Sequence, residues 1–319
     1  MHADAVAVKD KDMDNAQSIN EYLSVLRHQR QLSPHTLSNY QLDLQELLSF
    51  AKTQTLANLS YFDIRRFTSQ LHAQGLNPRS IARKLSSWRG YYRWLAEHTA
   101  LAANPVDGVK APKKSKSLPK ALGTDEAVNL VAHQAGEACA ALADKAMFEL
   151  LYSSGLRVSE LVALDLRDFS EATGSSLAWI DLEQAEVHVT GKGNKQRIVP
   201  VGQAALQAVQ AWLAVRGQLV KTDPRPLFLN ARGSRMSVRS VQLRLKQHAQ
   251  KAGINSDVHP HVLRHSFASH VLQSSGDLRA VQEMLGHSSI AATQVYTALD
   301  FQHLAQVYDA AHPRAKSKK

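Results

Sequence analysis

Apolar side chains recur at steps of three and four through the first hundred residues, and this spacing constrains the fold more than any other feature. Such spacing places the apolar residues on one face of an α-helix. Ser33-Pro34 and Asn77-Pro78 each offer a capping side chain followed by proline, the usual start of a helix. Gly75 ends the helix before the second pair. The pattern predicts a bundle with helices at about residues 18–29, 34–51, 60–73 and 79–98.

The helix at residues 79–98 has two chemically different faces. Its apolar stripe predicts the core side, on which we interpret Trp88 and Tyr92 as core residues. A second row of side chains is offset by two residues, about 200° around the helix, and lies opposite the stripe. This row fits a solvated bundle face and a surface laid against DNA about equally well. Its members are Arg79, Arg83, Ser86, Gly90 and Arg93, and the three arginines are candidate DNA contacts.

From residue 123 onward, helical spacing alternates with short segments of period two. Thr124, followed by two acidic residues, is predicted to be a helix N-cap. Three period-two segments predict strands, and a glycine-containing turn at residues 191–195 joins the last two as a hairpin. The predicted fold class is mainly α with two domains, a helical bundle and then a mostly helical domain with a small antiparallel sheet. The predicted helices lie at residues 138–152, 159–164, 204–219, 237–252 and 300–311, and the strands at 177–182, 185–190 and 196–201.

A proline- and lysine-rich stretch separates the two predicted domains. Proline discourages helix and the lysines keep the segment solvated, which is typical of a linker. A basic linker can also clamp a duplex between two domains, although an ordinary solvated linker is the plainer interpretation. The predicted organisation is a disordered start at residues 1–14, a helical domain at 15–109, a basic linker at 110–122, a second domain at 123–312 and a basic tail at 313–319.

The chain has 38 lysines and arginines against 28 acidic residues, a net charge of +10 over 319 residues. This excess favours a polyanionic partner, nucleic acid before acidic lipid, although a basic soluble enzyme would show the same charge. Arg239 and Arg244, on the predicted helix at residues 237–252, are further candidate DNA contacts, with a solvated face as the alternative. Cys139 is the only cysteine, which excludes a disulfide framework and agrees with a reducing compartment. Since no apolar run is long enough to span a bilayer, we expect a cytoplasmic protein.

Six side chains between residues 157 and 296 supply what phosphodiester cleavage needs without metal or nucleotide cofactor. A tyrosine hydroxyl can be the nucleophile, but its pKa of about 10 calls for a strongly cationic site. Two guanidiniums suit the charge of the transition state, histidines can move protons, and a lysine on a turn can protonate the leaving oxygen. Each residue alone is weak support, because such residues are mostly structural or solvated. The set is Arg157, Lys192, His261, Arg264, His287 and Tyr296.

The order and spacing of these residues resemble those of the tyrosine recombinase (phage integrase) family. Its first sequence box is similar to residues 154–161, and its hairpin lysine to Gly191-Lys192-Gly193. Its second box is similar to residues 259–268 and continues in Leu285-Gly286-His287 and residues 293–296. The family's six-residue set is present without departure. The resemblance covers nearly the whole chain, because the helical first domain is similar to the family's SAM-like core-binding domain.

The resemblance implies the roles of the groups that make and break bonds. Tyr296 would be the nucleophile that forms a 3′-phosphotyrosyl link and frees a 5′ hydroxyl. Lys192 would be the general acid to the leaving oxygen, and Lys195 in the same turn is the rival for that role.

The remaining roles concern the phosphate. Arg157 and Arg264 would hold it, and His261 would assist proton transfer or hold it too. His287 would donate a hydrogen bond to a nonbridging oxygen. Glu160, one helical turn after Arg157, would orient the site residues without contacting the phosphate. His261 and Arg264 are three residues apart, so on a helix they share a face.

Residues 296–313 are similar to one branch of the family, the recombinases that resolve chromosome dimers, more than to its sister branch. The resemblance implies four recombinases on two duplexes, a Holliday-junction intermediate and no ATP. It further implies a dif-like DNA site, a sister recombinase in a heterotetramer, a septal DNA translocase and a role in chromosome partition at cell division. The end helix, with Phe301, Leu304 and Tyr308 in an apolar row, would be donated to a neighbouring subunit or pack on its own domain.

Two other hypotheses stay open from the sequence. His259, His261, His265 and His270 form a dense cluster that could hold a metal, although no His-Glu-x-x-His motif or cysteine pair accompanies it. A DNA-binding module without catalysis is the other, and it predicts that Tyr296→Phe changes nothing measurable. The intact six-residue set favours the enzyme, with no metal and no cofactor.

Overall fold

A computed structural model describes residues 14–113, 121–133, 136, 138–169, 176–191, 196–254, 257–286 and 298–315. The chain divides into two compact units, Met1–Ser117 and Leu118–Lys319. Among the residues described, no helix is both long enough and apolar enough to cross a bilayer. The predicted disordered start lies outside these residues except for Asp14, whose side chain caps the first helix by accepting from the Ala16 backbone N–H at 3.2 Å.

The first unit is built from helices, as the apolar spacing predicts. The predicted caps are confirmed, since Ser33 accepts from the Thr36 N–H and Asn77 from the Arg79 N–H, each ahead of a proline. Because Asp14 supplies a cap, the first helix begins three residues before the predicted start. The helices are α1 (Asn15–His28), α2 (Pro34–Ala51), α3 (Tyr61–Ala73) and α4 (Pro78–His98), with a 3₁₀ turn at Leu56–Asn58.

Helix α4 forms the centre of this unit's core. Trp88 and Tyr92 are fully buried, which confirms their interpretation as core residues. The buried face is wider than the predicted stripe, because Tyr91 and Trp94 are buried as well. Gly90 does not belong to an open face, since a Cβ there would lie 2.6 Å from the Tyr22 hydroxyl. The close approach of α1 to α4 therefore accounts for the small residue at this position.

The second unit is mostly helical around one small sheet, so the predicted fold class is confirmed. One helix cap was predicted wrongly: Gly123 and not Thr124 is the N-cap, because Glu126 reaches back to accept from the Gly123 N–H at 3.1 Å. The helices are α5 (Thr124–Ala132), α6 (Cys139–Ser153), α7 (Val158–Ala163), α8 (Gln203–Arg216), α9 (Val238–Lys251), α10 (Pro260–Ser275), α11 (Leu278–Leu285) and α12 (Ala298–Ala311).

The sheet is mixed, which corrects the predicted all-antiparallel pairing. Its described strands run in the order β1 (Leu164–Asp165), β2 (Ala178–Asp181), β3 (Glu186–Thr190) and β4 (Gln196–Pro200). Strand β1 pairs parallel to β2, and the other two pairs are antiparallel. A strand of two residues is too short to show a period of two, so the sequence pattern misses β1.

Helix α12 packs against its own unit. Leu304 and Tyr308 are buried, and the Tyr308 hydroxyl lies 2.6 Å from Ser153 Oγ on α6. Beyond the helix, the Arg314 guanidinium donates to the Glu149 carboxylate, also on α6. The sequence allows the end helix to be donated to a neighbouring subunit or to pack on its own domain. In this single chain it packs on its own domain. The side chain of Phe301 lies outside the described part.

Candidate active site

Arg157 is presented by a tight turn between α6 and α7. Gly155 in this turn adopts φ +55°, in the left-handed region, and a Cβ there would overlap the Phe267 ring. Arg157 then acts as the N-cap of α7, and its backbone N–H donates to Glu160 Oε2 at 2.7 Å. Its Nη1 donates to Glu160 Oε1 at 2.8 Å. The side chain is 38% exposed, so the held guanidinium still faces solvent, where a phosphate can reach it.

Arg264 is the more deeply buried of the two predicted phosphate-binding arginines. It sits on α10, where Nη1 donates to the Gly155 carbonyl and Nη2 to the Leu285 carbonyl, both at 2.5 Å. Burial, and then the nearby charges of Arg157 and Arg197, lower the pKa of Arg264 to about 10. The group therefore stays cationic at neutral pH, which is why arginine suits a buried phosphate site.

A third arginine, Arg197 on β4, belongs to the same cluster and was missed in the sequence. Its Nη1 and Nη2 donate to the two carboxylate oxygens of Glu160 at 2.9 and 2.8 Å, and its Nε donates to the Met284 carbonyl at 3.0 Å. The one feature of the sequence that could have identified Arg197 is its position in a half-buried strand. Residues 197 and 199 share a face of β4, and Val199 is buried, so Arg197 had to point inward.

Glu160 is the anion at the centre of this cluster. Burial raises its pKa, but the hydrogen bonds and charge of Arg197, followed by those of Arg157, outweigh burial and lower the pKa to about 2. Glu160 is therefore ionised at any working pH. One carboxylate facing Arg157, Arg197 and Arg264 leaves the cluster with a net positive charge, as a site for phosphate requires.

The three arginines also meet at the end of α11. Arg197, Arg264 and Arg157 donate to the carbonyls of Met284, Leu285 and Gly286, with the last contact at 3.4 Å. The final carbonyls of a helix have no partner within it and carry the negative end of its dipole, which favours cations. The residue directly after this anchored end is His287.

The structure thus brings Arg264 to Arg157 and Glu160, which are distant from it in the sequence. His261 lies on α10 three residues before Arg264, with its side chain exposed. The two residues lie on one helix, as the predicted shared face requires, but the Arg264 side chain is buried. Lys192, its rival Lys195, His287 and Tyr296 lie outside the described residues.

The histidine cluster does not converge. Both ring nitrogens of His270 have partners in the core, the Tyr152 hydroxyl at 2.9 Å and the Leu122 carbonyl at 3.0 Å. His259 and His261 have ring centroids 6.0 Å apart. Within the ranges described, no three histidine, cysteine, aspartate or glutamate side chains are grouped as metal ligands would be.

The five candidate DNA-contacting arginines differ in their surroundings. Arg79, Arg93 and Arg239 are exposed. Arg83 is exposed but pairs with the buried Asp43 carboxylate. Arg244 is half-buried against α6, donating to Asp144 Oδ1 at 2.5 Å and to the Ala140 carbonyl at 2.8 Å. The first three are therefore the better placed to meet a phosphate backbone.

Comparison with known proteins gives this site its context. Residues 120–303 match the Phage integrase family, and residues 19–98 match the Phage integrase, N-terminal SAM-like domain. The chain is 55% identical over 310 residues to "Tyrosine recombinase XerC" of Ralstonia pickettii (strain 12J), covering 94% of each chain. It is 47% identical over 303 residues to "Tyrosine recombinase XerC" of Pseudomonas aeruginosa (strain LESB58), covering 94% of this chain and 96% of the relative.

Solved structures share the fold at lower identity. A post-cleavage complex of the XerH site-specific recombinase bound to a palindromic difH substrate has a TM-score of 0.65 and 20% identity, covering 92% of this chain and 84% of that one. A lambda integrase dimer bound to a COC′ core site has a TM-score of 0.65 and 16% identity, covering 88% and 99%.

The chain therefore belongs to the phage integrase family, the class of site-specific recombinases that cleave and rejoin DNA with a tyrosine. Within that class it is most like the recombinases named XerC, with which it shares about half of its residues over nearly its full length. The predicted family and enzyme class are confirmed, and DNA is its partner.

Proposed function

We propose that this recombinase cleaves DNA by attack of the Tyr296 hydroxyl on the scissile phosphorus. A bond from the tyrosine oxygen to phosphorus forms, the bond to the 5′ oxygen breaks, and Lys192 supplies the proton to that leaving oxygen. The 3′-phosphotyrosine keeps the energy of the broken bond, so a 5′ hydroxyl from another duplex can reverse the step without ATP.

Arg157 and Arg264 would hold the nonbridging oxygens while charge develops on them. The observation that carries the proposal is that these two arginines, more than a hundred residues apart, donate to the adjacent carbonyls of Gly286 and Leu285, next to His287. His287, which directly follows these carbonyls in the sequence, would donate another hydrogen bond to the phosphate. His261, on the helix of Arg264, would accept the proton that the Tyr296 hydroxyl loses on attack, or would hold the phosphate.

The biological setting we propose is that of the XerC relatives. The protein would act in the cytoplasm at a dif-like site, in a heterotetramer with an XerD-type sister recombinase, and would resolve chromosome dimers through a Holliday junction. An FtsK-type translocase would activate it during chromosome partition. The identity of about one half to recombinases named XerC supports this setting. An XerD-type role at the other half-site is the alternative.

The nucleophile is tested with a nicked suicide substrate that carries a dif-like site. The wild-type protein should give a covalent protein–DNA adduct on a denaturing gel, and Tyr296→Phe should abolish it, because phenylalanine has no oxygen to attack phosphorus. Tyr61→Phe, a change of the same kind at an exposed tyrosine of the first unit, should leave the adduct unchanged. An adduct that persists in Tyr296→Phe would overturn the assignment. Half-site substrates distinguish the XerC-type from the XerD-type role.

The phosphate-binding arginines are tested on the same substrate. Arg157→Ala should lower adduct formation by about 100-fold or more while DNA binding stays largely intact, because the lost contact strengthens only as charge develops. Arg157 is the better choice for this test, since Arg264→Ala also leaves the buried carbonyls of Gly155 and Leu285 without their donors. A matched loss of binding and cleavage in Arg157→Ala would contradict its role.

A further inference from the structure

Arg197 is a buried cation that the proposed chemistry does not use. Its side chain is 5% exposed, and all three of its nitrogens donate hydrogen bonds within the protein, at distances of 2.8 to 3.0 Å. A buried charge is stable only when it is paired and fully hydrogen-bonded. Arg197 is paired with Glu160, and each of its three nitrogens makes a hydrogen bond. Its geometry is therefore fixed by its partners, and it in turn fixes them.

The first partner is Glu160, which links Arg197 to Arg157. Oxygen Oε1 of Glu160 accepts from Arg197 Nη1 at 2.9 Å and from Arg157 Nη1 at 2.8 Å. Oxygen Oε2 accepts from Arg197 Nη2 and from the Arg157 backbone N–H. The bidentate fork of Arg197 sets the plane of the carboxylate, because two parallel N–H···O bonds allow one orientation. The plane of the carboxylate sets where the Arg157 guanidinium can lie.

The second partner is the end of α11. Arg197 Nε donates to the Met284 carbonyl, and its side chain lies along Gly286, where a Cβ would be 3.1 Å from Arg197 Cδ. Gly286 itself has φ +64° and ends the helix in the left-handed region. Arg264 and Arg157 bind the next two carbonyls. One side chain on β4 thus touches both elements against which the phosphate-binding arginines are held.

We propose that Arg197 is a positioning residue for cleavage, acting through Glu160 and the end of α11 on the placement of Arg157. Arg197 does not bind the phosphate itself, because it is buried and its charge is matched by Glu160, whereas Arg157 is open to solvent. The proposal rests on the proposed role of Arg157 in phosphate binding. Strand β4 would then contribute to catalysis through Arg197, in addition to its pairing in the sheet.

The test is the rate of adduct formation in a single turnover, with DNA binding measured separately. Arg197→Lys keeps the charge but removes the fork, so one ammonium group must replace three directed donors. We expect cleavage about 10- to 100-fold slower at saturating enzyme, since small misplacements of a binding group have effects of this size. DNA affinity should change by less than about threefold, because the exposed arginines that meet the backbone are untouched.

The matched control is Arg216→Lys. Arg216 is as buried as Arg197 and donates from two nitrogens, Nε and Nη2, to the carbonyls of Pro224, Pro226 and Leu227, but it lies outside the site. It should lose stability without losing the cleavage rate of the folded protein. Equal losses of rate in the two variants, or a wild-type rate in Arg197→Lys, would overturn the proposal.

A double-mutant cycle separates positioning from a general structural role. If Arg197 acts through Arg157, then Arg197→Lys should slow cleavage much less in an Arg157→Lys background than in the wild type. Independent, multiplying effects would contradict the proposal. Should Arg197→Lys fail to fold, Glu160→Gln with Arg197→Gln removes both charges together, and wild-type cleavage by that folded double variant would also overturn it.

The outcome is distinguishable from failure of the proposed function. If the wild-type protein forms no adduct that depends on Tyr296, the assignment of the nucleophile fails. If that adduct forms normally and the Arg197 variants form it at the same rate, only the positioning role fails.

Discussion

Gly155 shows how one residue can be fixed by two separate constraints. Its φ of +55° lies in the left-handed region, and its missing side chain leaves room for the Phe267 ring. Its carbonyl accepts from Arg264, and Arg157 comes two residues later. The turn at Gly155 therefore joins the two arginines that we propose bind the phosphate.

Gly155→Ala should destabilise the protein by about 2 kcal/mol or more, because backbone strain adds to overlap with a buried ring. It should also slow adduct formation, since the strained turn carries Arg157. Gly75→Ala is the control, with φ +83° and no atom within 4 Å of the added Cβ, so that only strain remains. Urea denaturation measures the stability of both variants, and the suicide substrate measures their rate of adduct formation. Equal effects would show that Phe267 moves aside without cost.

At the scale of single residues, the sequence predicts site residues that belong to a known motif. It does not predict residues whose place in the site depends only on contacts in the folded chain. Arg157 and Arg264 can be predicted because their spacing resembles that of a family. Arg197 has no such motif, and only its inward position on β4 marks it. Glu160 could be placed behind Arg157 from the helical repeat, but its second partner could not be predicted, because β4 is distant in the sequence.

At the scale of elements, α12 is held in part by Arg314, a residue beyond its own end. The buried Glu149 carboxylate on α6 receives the Arg314 guanidinium just beyond the helix, and Lys145 is its other cationic partner, at 3.2 Å. A pair with so little exposure is costly to break from one side, because the remaining charge stays out of water.

Arg314→Ala should lower the free energy of unfolding by about 3 kcal/mol or more, since Glu149 would be left with Lys145 alone. The control is Arg225→Ala, which breaks the more exposed pair with Asp223 and should have a much smaller effect. Thermal and urea unfolding of both variants provide the measurement. A small change for Arg314→Ala would mean that solvent reaches Glu149 when the segment beyond α12 is loosened.

The sequence predicts the existence of helices better than their docking. Apolar spacing places α12 within two residues of its observed start, yet the same apolar row fits a surface of its own domain or of another. The docking depends on Ser153 and Glu149, whose partners Tyr308 and Arg314 lie 155 and 165 residues further along the chain. Such contacts leave no periodic signal.

Across the whole molecule, buried histidines make stability depend on pH. Burial lowers the pKa of His248, His270 and His312, and that of His312 falls from an ordinary 6.5 to about 3. Between these two values the unfolded chain binds a proton that the folded chain does not. Stability therefore increases with pH across this window and is lost as the pH falls through it.

His312→Phe should flatten this dependence. His312 contributes a slope of at most about 1.4 kcal/mol per pH unit between the unfolded and folded pKa values, and phenylalanine contributes none. The free energy of unfolding, measured by urea at pH 7 and near pH 5, should differ less in the variant than in the wild type. His72→Phe, at an exposed position, should leave the difference unchanged. An unaltered slope in His312→Phe would show that His312 becomes protonated in the folded protein.

The contacts at the end of α11 also affect how the site can change over evolution. Arg157, Arg197 and Arg264 bind the main chain there, and every amino acid supplies the same carbonyl. Substitutions of Met284 or Leu285 are therefore restricted by the core that surrounds their side chains and not by the arginines. A comparison of correlated substitutions among relatives should find no pairing between Arg197 and residue 284. Only Gly286, where an added Cβ would lie 3.1 Å from Arg197 Cδ, should vary together with it.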